Sequence, residues 1–142
     1  MILYLDTSAL VKKYFEENHS AQVIAAWKSA LAISTSAVAY AELVAAAYRK
    51  AGEARVKKSV IQKMMGALQE DWSSFIVVEV DNRLNETIHR VIAKHHLRGF
   101  DAIHLASALA VGSAVAEDFL FACYDERLTQ AASAEGLRTM PQ

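Results

Sequence analysis

Four carboxylates lie far apart in the chain, each in a setting that singles it out: Asp6, Glu42, Asp101 and Asp125. Asp6 directly follows the apolar run Ile2 to Leu5, and Asp125 follows the run that ends at Tyr124. Asp101 opens a helical stretch. Glu42 sits among ten otherwise uncharged, mostly apolar residues, Val38 to Ala47, and a charge buried there is costly unless paired or bound to a metal. The ordinary pairing is a salt bridge to an arginine such as Arg49 or Arg98. Asp is among the best helix N-caps, so capping is the ordinary reading of Asp6, Asp101 or Asp125 taken alone. If the four converge, two of these charges about 4 Å apart repel by about 4 kcal/mol at an effective dielectric near 20. Such a pocket needs a cation or raised pKa values. All-oxygen ligands suit Mg²⁺ or Mn²⁺. One or two such ions activate water and clamp a phosphodiester, so the chemistry best served is phosphodiester hydrolysis.

The elements that must position these acids can be read from periodicity. Ile2 to Leu5 is a short buried strand. Helices follow over Thr7 to Phe15 and Ser20 to Leu31, then a weak strand over Ala32 to Thr35. Ser36 is a good N-cap for a helix to Ala51 with Gly52 as its stop, and a long amphipathic helix runs from Glu53 to Trp72. Phe75 to Val80 is the clearest strand. Asp81 caps a helix to about His96, with Gly99 closing that unit. Asp101 to Gly112 is helical, Asp118 to Tyr124 a strand, Asp125 to Ala134 a helix, Gly136 a stop, and Leu137 to Met140 a last strand. Alternating strands and helices predict an α/β domain with a short, mainly parallel sheet and much helix. In such a sheet ligands gather at the carboxyl ends of the strands. Asp6, Asp101 and Asp125 then meet on one edge, and Glu42 reaches in from the side.

Size and composition fit that scheme. The 142 residues make a single domain, 1–142, able to bury a real core. The one cysteine, Cys123, lies in an apolar run and reads as a small core residue in a reducing compartment. The opening apolar stretch is too short for a signal-peptide core, and no run reaches the roughly 18 apolar residues of a membrane span. A cytoplasmic protein is expected. The net charge of −1 gives no hint of a nucleic-acid partner, so any such contact rests on local basic patches.

The four acids also sit in recognisable surroundings. Tyr4-Leu5-Asp6-Thr7-Ser8-Ala9-Leu10, Ala41-Glu42-Leu43, Arg98 to Ala108 around Asp101-Ala102-Ile103-His104, and Tyr124-Asp125-Glu126-Arg127-Leu128 with Ala131, Ala132 and Gly136 beyond resemble, in order, the motifs of the PIN-domain family. More narrowly they resemble the VapC-type toxins of bacterial toxin–antitoxin pairs. The resemblance spans nearly the whole chain, and its third motif is the most specific. It implies a three-layer α/β/α sandwich, Mg²⁺-dependent endoribonuclease activity with Mn²⁺ as a possible substitute, a homodimer and a cognate antitoxin. Carried over by position, Asp6, Glu42, Asp101 and Asp125 are the catalytic, metal-holding acids. Ser8 lies beside Asp6, as a pocket residue or simply a residue of the first helical turn. Many members carry a further Asp or Asn near the fourth acid. Here the neighbours are Tyr124 and Glu126, and Glu126 reads as a first-turn acid favoured by the helix dipole.

Phosphate contacts call for Lys or Arg near the acids. Lys12, Arg98 and Arg127 are the candidates beside Ser8; a solvated helix face is the plainer reading of Lys12 and its neighbour Lys13. A larger cluster, Arg49, Lys50, Arg55, Lys57, Lys58 and Lys63, surrounds the turn between two helices. His104, three residues past Asp101 and on its helical face, either orients a carboxylate, serves as a ligand or is a hydrogen-bonded core histidine. Two other classes of function remain open: a phosphoryl-transfer enzyme of another kind, such as a phosphatase with Asp6 as nucleophile, and an inactive PIN-like binding module. The first usually wants a second acid two residues on, where Ser8 stands.

Overall fold

The computed structural model describes residues 1–54 and 56–142. In chain order the elements are β1 (Ile2–Leu5), α1 (Thr7–Tyr14), α2 (Ser20–Ser29), β2 (Ala32–Ser36), α3 (Val38–Ala54), α4 (Lys58–Trp72) and β3 (Ile76–Val78). A 3₁₀ turn (Asn82–Leu84) then leads into α5 (Asn85–His95), α6 (Gly99–Ala114), β4 (Phe119–Ala122), α7 (Glu126–Ala134) and β5 (Arg138–Met140). The five strands form one all-parallel sheet in the order β3-β2-β1-β4-β5.

Alternation along the central strands builds a core on each face of the sheet. Leu3 and Leu5 of β1, with Ile33 and Ala122, pack under α1 to α4. Tyr4, from the same strand, turns the other way and joins Phe121 and Cys123 beneath α5, α6 and α7. Helices on both faces of a parallel sheet make the expected α/β/α sandwich. The order of strands also fixes where a site belongs. The chain walks outward from β1 to β3, then jumps back to lay β4 on the other side of β1. The β1–β4 boundary is therefore the switch point, and its crevice opens beyond the carboxyl ends of those two strands.

Several boundaries differ from the sequence reading, for local reasons. Gly52 does not stop a helix. A Cβ at this position would meet nothing within 4 Å, and α3 runs through it to Ala54. The long helix expected from Glu53 therefore begins only at Lys58. Gly136 is a genuine stop, since its φ of 91° is open to glycine and costly for most other residues. Ser36 ends β2, and its hydroxyl accepts from the Val38 N–H at 3.3 Å. Asp81 caps the 3₁₀ turn ahead of α5. Gly99 opens α6 instead of closing α5, which ends at His96 in the left-handed region. Asp101 is consequently the third residue of its helix and not its cap. β3 is a three-residue edge strand, with Ile76 and the following Val80 partly exposed.

Candidate active site

Asp6 and Asp125 stand just past β1 and β4, on either side of the switch point, and both are true N-caps. Asp6 accepts the Ala9 N–H at 3.0 Å and Asp125 accepts the Leu128 N–H at 2.9 Å. Asp101 projects from the first turn of α6, 3.9 Å from the Arg98 guanidinium. Glu42 comes from the second turn of α3. All four line one cavity of about 620 Å³, together with Ser8 and Arg98. Of the four basic or hydroxyl candidates, Ser8 and Arg98 are thus at the acids. Lys12 is paired to Glu17 at 3.1 Å and lies over the Tyr124 ring, and Arg127 is exposed on α7; neither lines the cavity. Arg55 of the larger basic cluster lies outside the described residues, and Lys50 of that cluster is bound to Glu17.

Each acid has its own partners. Asp6 is 4% exposed, and its carboxylate also accepts from the Ser8 hydroxyl at 2.7 Å and the Cys123 thiol at 3.2 Å. Burial holds the Asp6 carboxyl above the usual carboxylate range despite those bonds. Burial raises Asp101 too, reinforced by the negative charge of Asp125 and offset in part by Arg98. Burial would also raise Glu42, but hydrogen bonds from His104 and Thr7 outweigh it and leave this carboxyl below its ordinary value.

That last pair was not foreseen as a pair. The partner of Glu42 is neither Arg49 nor Arg98. The Thr7 hydroxyl donates to Glu42 Oε1 at 2.6 Å, and His104 Nε2 lies 3.0 Å from the same oxygen and 3.2 Å from Thr7 Oγ1. The Thr7 proton is already committed and a carboxylate only accepts, so Nε2 must be the donor. On the far side of the ring, the Tyr4 hydroxyl sits 2.9 Å from His104 Nδ1. Burial, and then the charge of Asp6, push the Tyr4 phenol well up, so it keeps its proton beside Nδ1. Both imidazole nitrogens are spent. Of the readings open for His104, the geometry fits two at once: a buried, hydrogen-bonded core histidine that also orients the Glu42 carboxylate. The i, i+3 spacing from Asp101 gave His104 as a candidate, whereas nothing local in the sequence marks Thr7 or Tyr4. Cys123 is the core residue expected, and burial, with Asp6 beside it, raises its thiol pKa.

The donor set left facing the cavity is therefore carboxylate oxygen, with no free imidazole. Among the described residues no three acidic, His or Cys side chains are already drawn into a ready-made cage. Asp6 and Asp125 are turned partly toward their capping amides, and Glu42 toward His104. In chemical type the set fits a hard divalent cation, and the rise of Asp101 under the negative charges of Asp125 and Asp6 marks a place where added positive charge would relieve repulsion. The positive side chain at the rim is Arg98, 82% exposed.

The fold and these motifs define a known class. The PIN-domain model matches residues 3–133, and the chain belongs to the PIN-domain family. Ribonuclease VapC45 of Mycobacterium tuberculosis (strain CDC 1551 / Oshkosh) is 33% identical over 140 residues, covering 99% of this chain and 95% of that protein. Ribonuclease VapC49 of M. tuberculosis H37Rv matches to the same extent. Among solved structures, FitAcB from Neisseria gonorrhoeae superposes with a TM-score of 0.70 at 18% identity, covering 98% of this chain and 96% of the other. VapBC2 from Rickettsia felis, bound to a DNA fragment from its promoter, gives 0.64 at 13% identity, covering 98% and 97%. At such identities the likeness establishes the fold.

Proposed function

We propose that this chain is an endoribonuclease that requires Mg²⁺, with Mn²⁺ as a possible substitute, and acts as the toxin of a toxin–antitoxin pair. The observation that carries the reading is the convergence of Asp6, Glu42, Asp101 and Asp125, from four separate elements, on one cavity at the sheet's switch point. The near-full-length likeness to two proteins named as ribonucleases supports RNA as the substrate. Structural neighbours solved as toxin–antitoxin complexes support an antitoxin partner. A homodimer in the cytoplasm completes the proposal. No helix among the described residues is long and apolar enough to cross a membrane.

Asp6, Asp101 and Asp125 would hold the metal, with Glu42 completing the set. When bound, the metal would supply Lewis-acid polarisation of the phosphodiester and lower the pKa of the attacking water. The protein's own groups do the rest. Arg98 meets a phosphate oxygen at the rim. Ser8, fixed between Asp6 and the Tyr124 N–H (2.9 Å), keeps the Asp6 carboxylate from rotating. Tyr4, His104 and Thr7 hold Glu42 toward the same space.

The test is cleavage of structured RNA by the purified protein in Mg²⁺ or Mn²⁺, beside EDTA and an Asp6→Asn control. Cutting that needs the metal and is lost in the control is expected. Cutting that persists in the Asp6→Asn protein would overturn the assignment of the site.

A further inference from the structure

A second cavity, of about 670 Å³, is lined by residues that flank Asp125 in the chain, Tyr124 before it and Glu126 after it. His19, Gln130, Ser133 and Gln142 line it too, among others. Tyr124 immediately precedes Asp125, and its backbone N–H is bonded to Ser8, which in turn bonds Asp6. Tyr124 thus ties this cavity to both acids at the switch point, to Asp125 through the chain and to Asp6 through Ser8.

One side of the wall is aromatic. The His19 and Tyr124 rings are stacked, with centroids 5.1 Å apart and planes 17° from parallel. His19 stands at the N-cap position of α2 but makes no side-chain capping bond, and its backbone is left-handed, with φ of 72°. A non-glycine residue held there without a capping return is a cost the local fold absorbs. The imidazole lies on Tyr124, and His19 is an exposed residue. Tyr124 is braced in turn by Gln22, through a hydroxyl bond of 3.1 Å, and by the Lys12 ammonium 4.9 Å from its ring centre. The other polar side chains of the lining are two amides, three hydroxyls and a carboxylate beside the Cys123 thiol, which can both donate to and accept from the polar edge of a planar heterocycle.

We infer that this cavity is a nucleobase subsite, in which a base next to the scissile phosphate of a single-stranded RNA stacks on His19. The inference rests on the ribonuclease reading of the neighbouring acids. A flat ring with a polar edge matches a stacking face beside mixed donors and acceptors. A phosphate does not, because Glu126 would repel it.

The probe is a fluorescein-labelled single-stranded RNA carrying 2-aminopurine at successive positions, bound to the Asp6→Asn protein so that it is not cut. Anisotropy reads binding, and quenching of 2-aminopurine reads stacking. Quenching is expected at one position only. His19→Ala should abolish that quenching and weaken binding about ten-fold, the loss of one stacked base. His19→Phe, which restores a ring, should recover both. RNA bound with no quenched position, or quenching unchanged in His19→Ala, overturns the subsite and leaves the ribonuclease reading intact. A parent protein that binds no RNA overturns both.

Discussion

Asp6 and Asp125 each do two things with one carboxylate: an oxygen closes the first turn of a helix while the group also faces the cavity. Capping and a place at the cavity, which compete as explanations in the sequence, coexist in the fold. Asp101 has no capping duty, which makes it the cleaner probe of charge repulsion. Its pKa is raised on folding, so the folded protein holds more protons than the unfolded chain between the two values, and stability falls as pH rises through that window. In EDTA, Asp101→Asn should therefore melt at or above the parent temperature at pH 7. The difference should fade below about pH 3.9, the usual unfolded Asp value, where both states are protonated. A variant less stable than the parent at pH 7 would contradict this account. The chain Tyr4–His104–Glu42 makes a second prediction. Tyr4→Phe leaves His104 Nδ1 buried without a partner and should cost about 1–3 kcal/mol in denaturant unfolding. A cost near zero would mean that the phenol is not what holds the ring. The acids were legible because a charge stands out in an apolar run. The bonds around Glu42 were not, since Tyr4, Thr7, Glu42 and His104 meet only after four elements, β1, α1, α3 and α6, have packed.

The elements were placed well wherever burial drove them, and less well where a single residue was asked to mark an end. β1 and β4 lie buried at the sheet centre and declared themselves by unbroken apolarity. β3, at the edge, reaches only three of the six residues that its β-branched run suggested, for want of a partner on its outer side. Glycine punctuated the chain reliably only at Gly136, where the backbone needs positive φ. At Gly52 and Gly99 it fills ordinary helical positions, so composition alone misled. Past the end of α7, the Glu135 side chain is 6% exposed and ties that helix to α5 through Arg90 (2.6 Å), Lys94 (3.1 Å) and His95 (2.8 Å). The hydrogen bonds from His95 and Arg90 pull its pKa from 4.5 down to about 2. A depressed folded pKa stabilises the protein above the unfolded value, and that contribution is lost as pH falls from about 4.5 to about 2. Glu135→Gln should be less stable than the parent at pH 7, and the two should converge near pH 2. A constant gap across that range would show that packing, not charge, is at stake.

At the scale of the whole molecule, β1 belongs to both cores, sending Leu3 and Leu5 to one face and Tyr4 to the other. The two layers should then unfold together. Trp27 and Trp72 both lie against the first core, so tryptophan fluorescence reports that layer, whereas far-UV circular dichroism reports all the helices. The two probes should give coincident denaturant transitions. Leu3→Ala, which empties a fully buried position, should shift both by the same about 2–5 kcal/mol. Separate transitions would mean that the faces fold independently. The strand order carries one more implication. β1 is the first strand made, yet its partner β4 and the acid Asp125 come from the last quarter of the chain. During translation, Asp6, Glu42 and Asp101 can all have left the ribosome while one edge of β1 is still bare and the cavity lacks a wall. A growing chain therefore has no closed cavity until β4 and Asp125 have followed the other three acids, and the order of the strands itself sets when the site is completed.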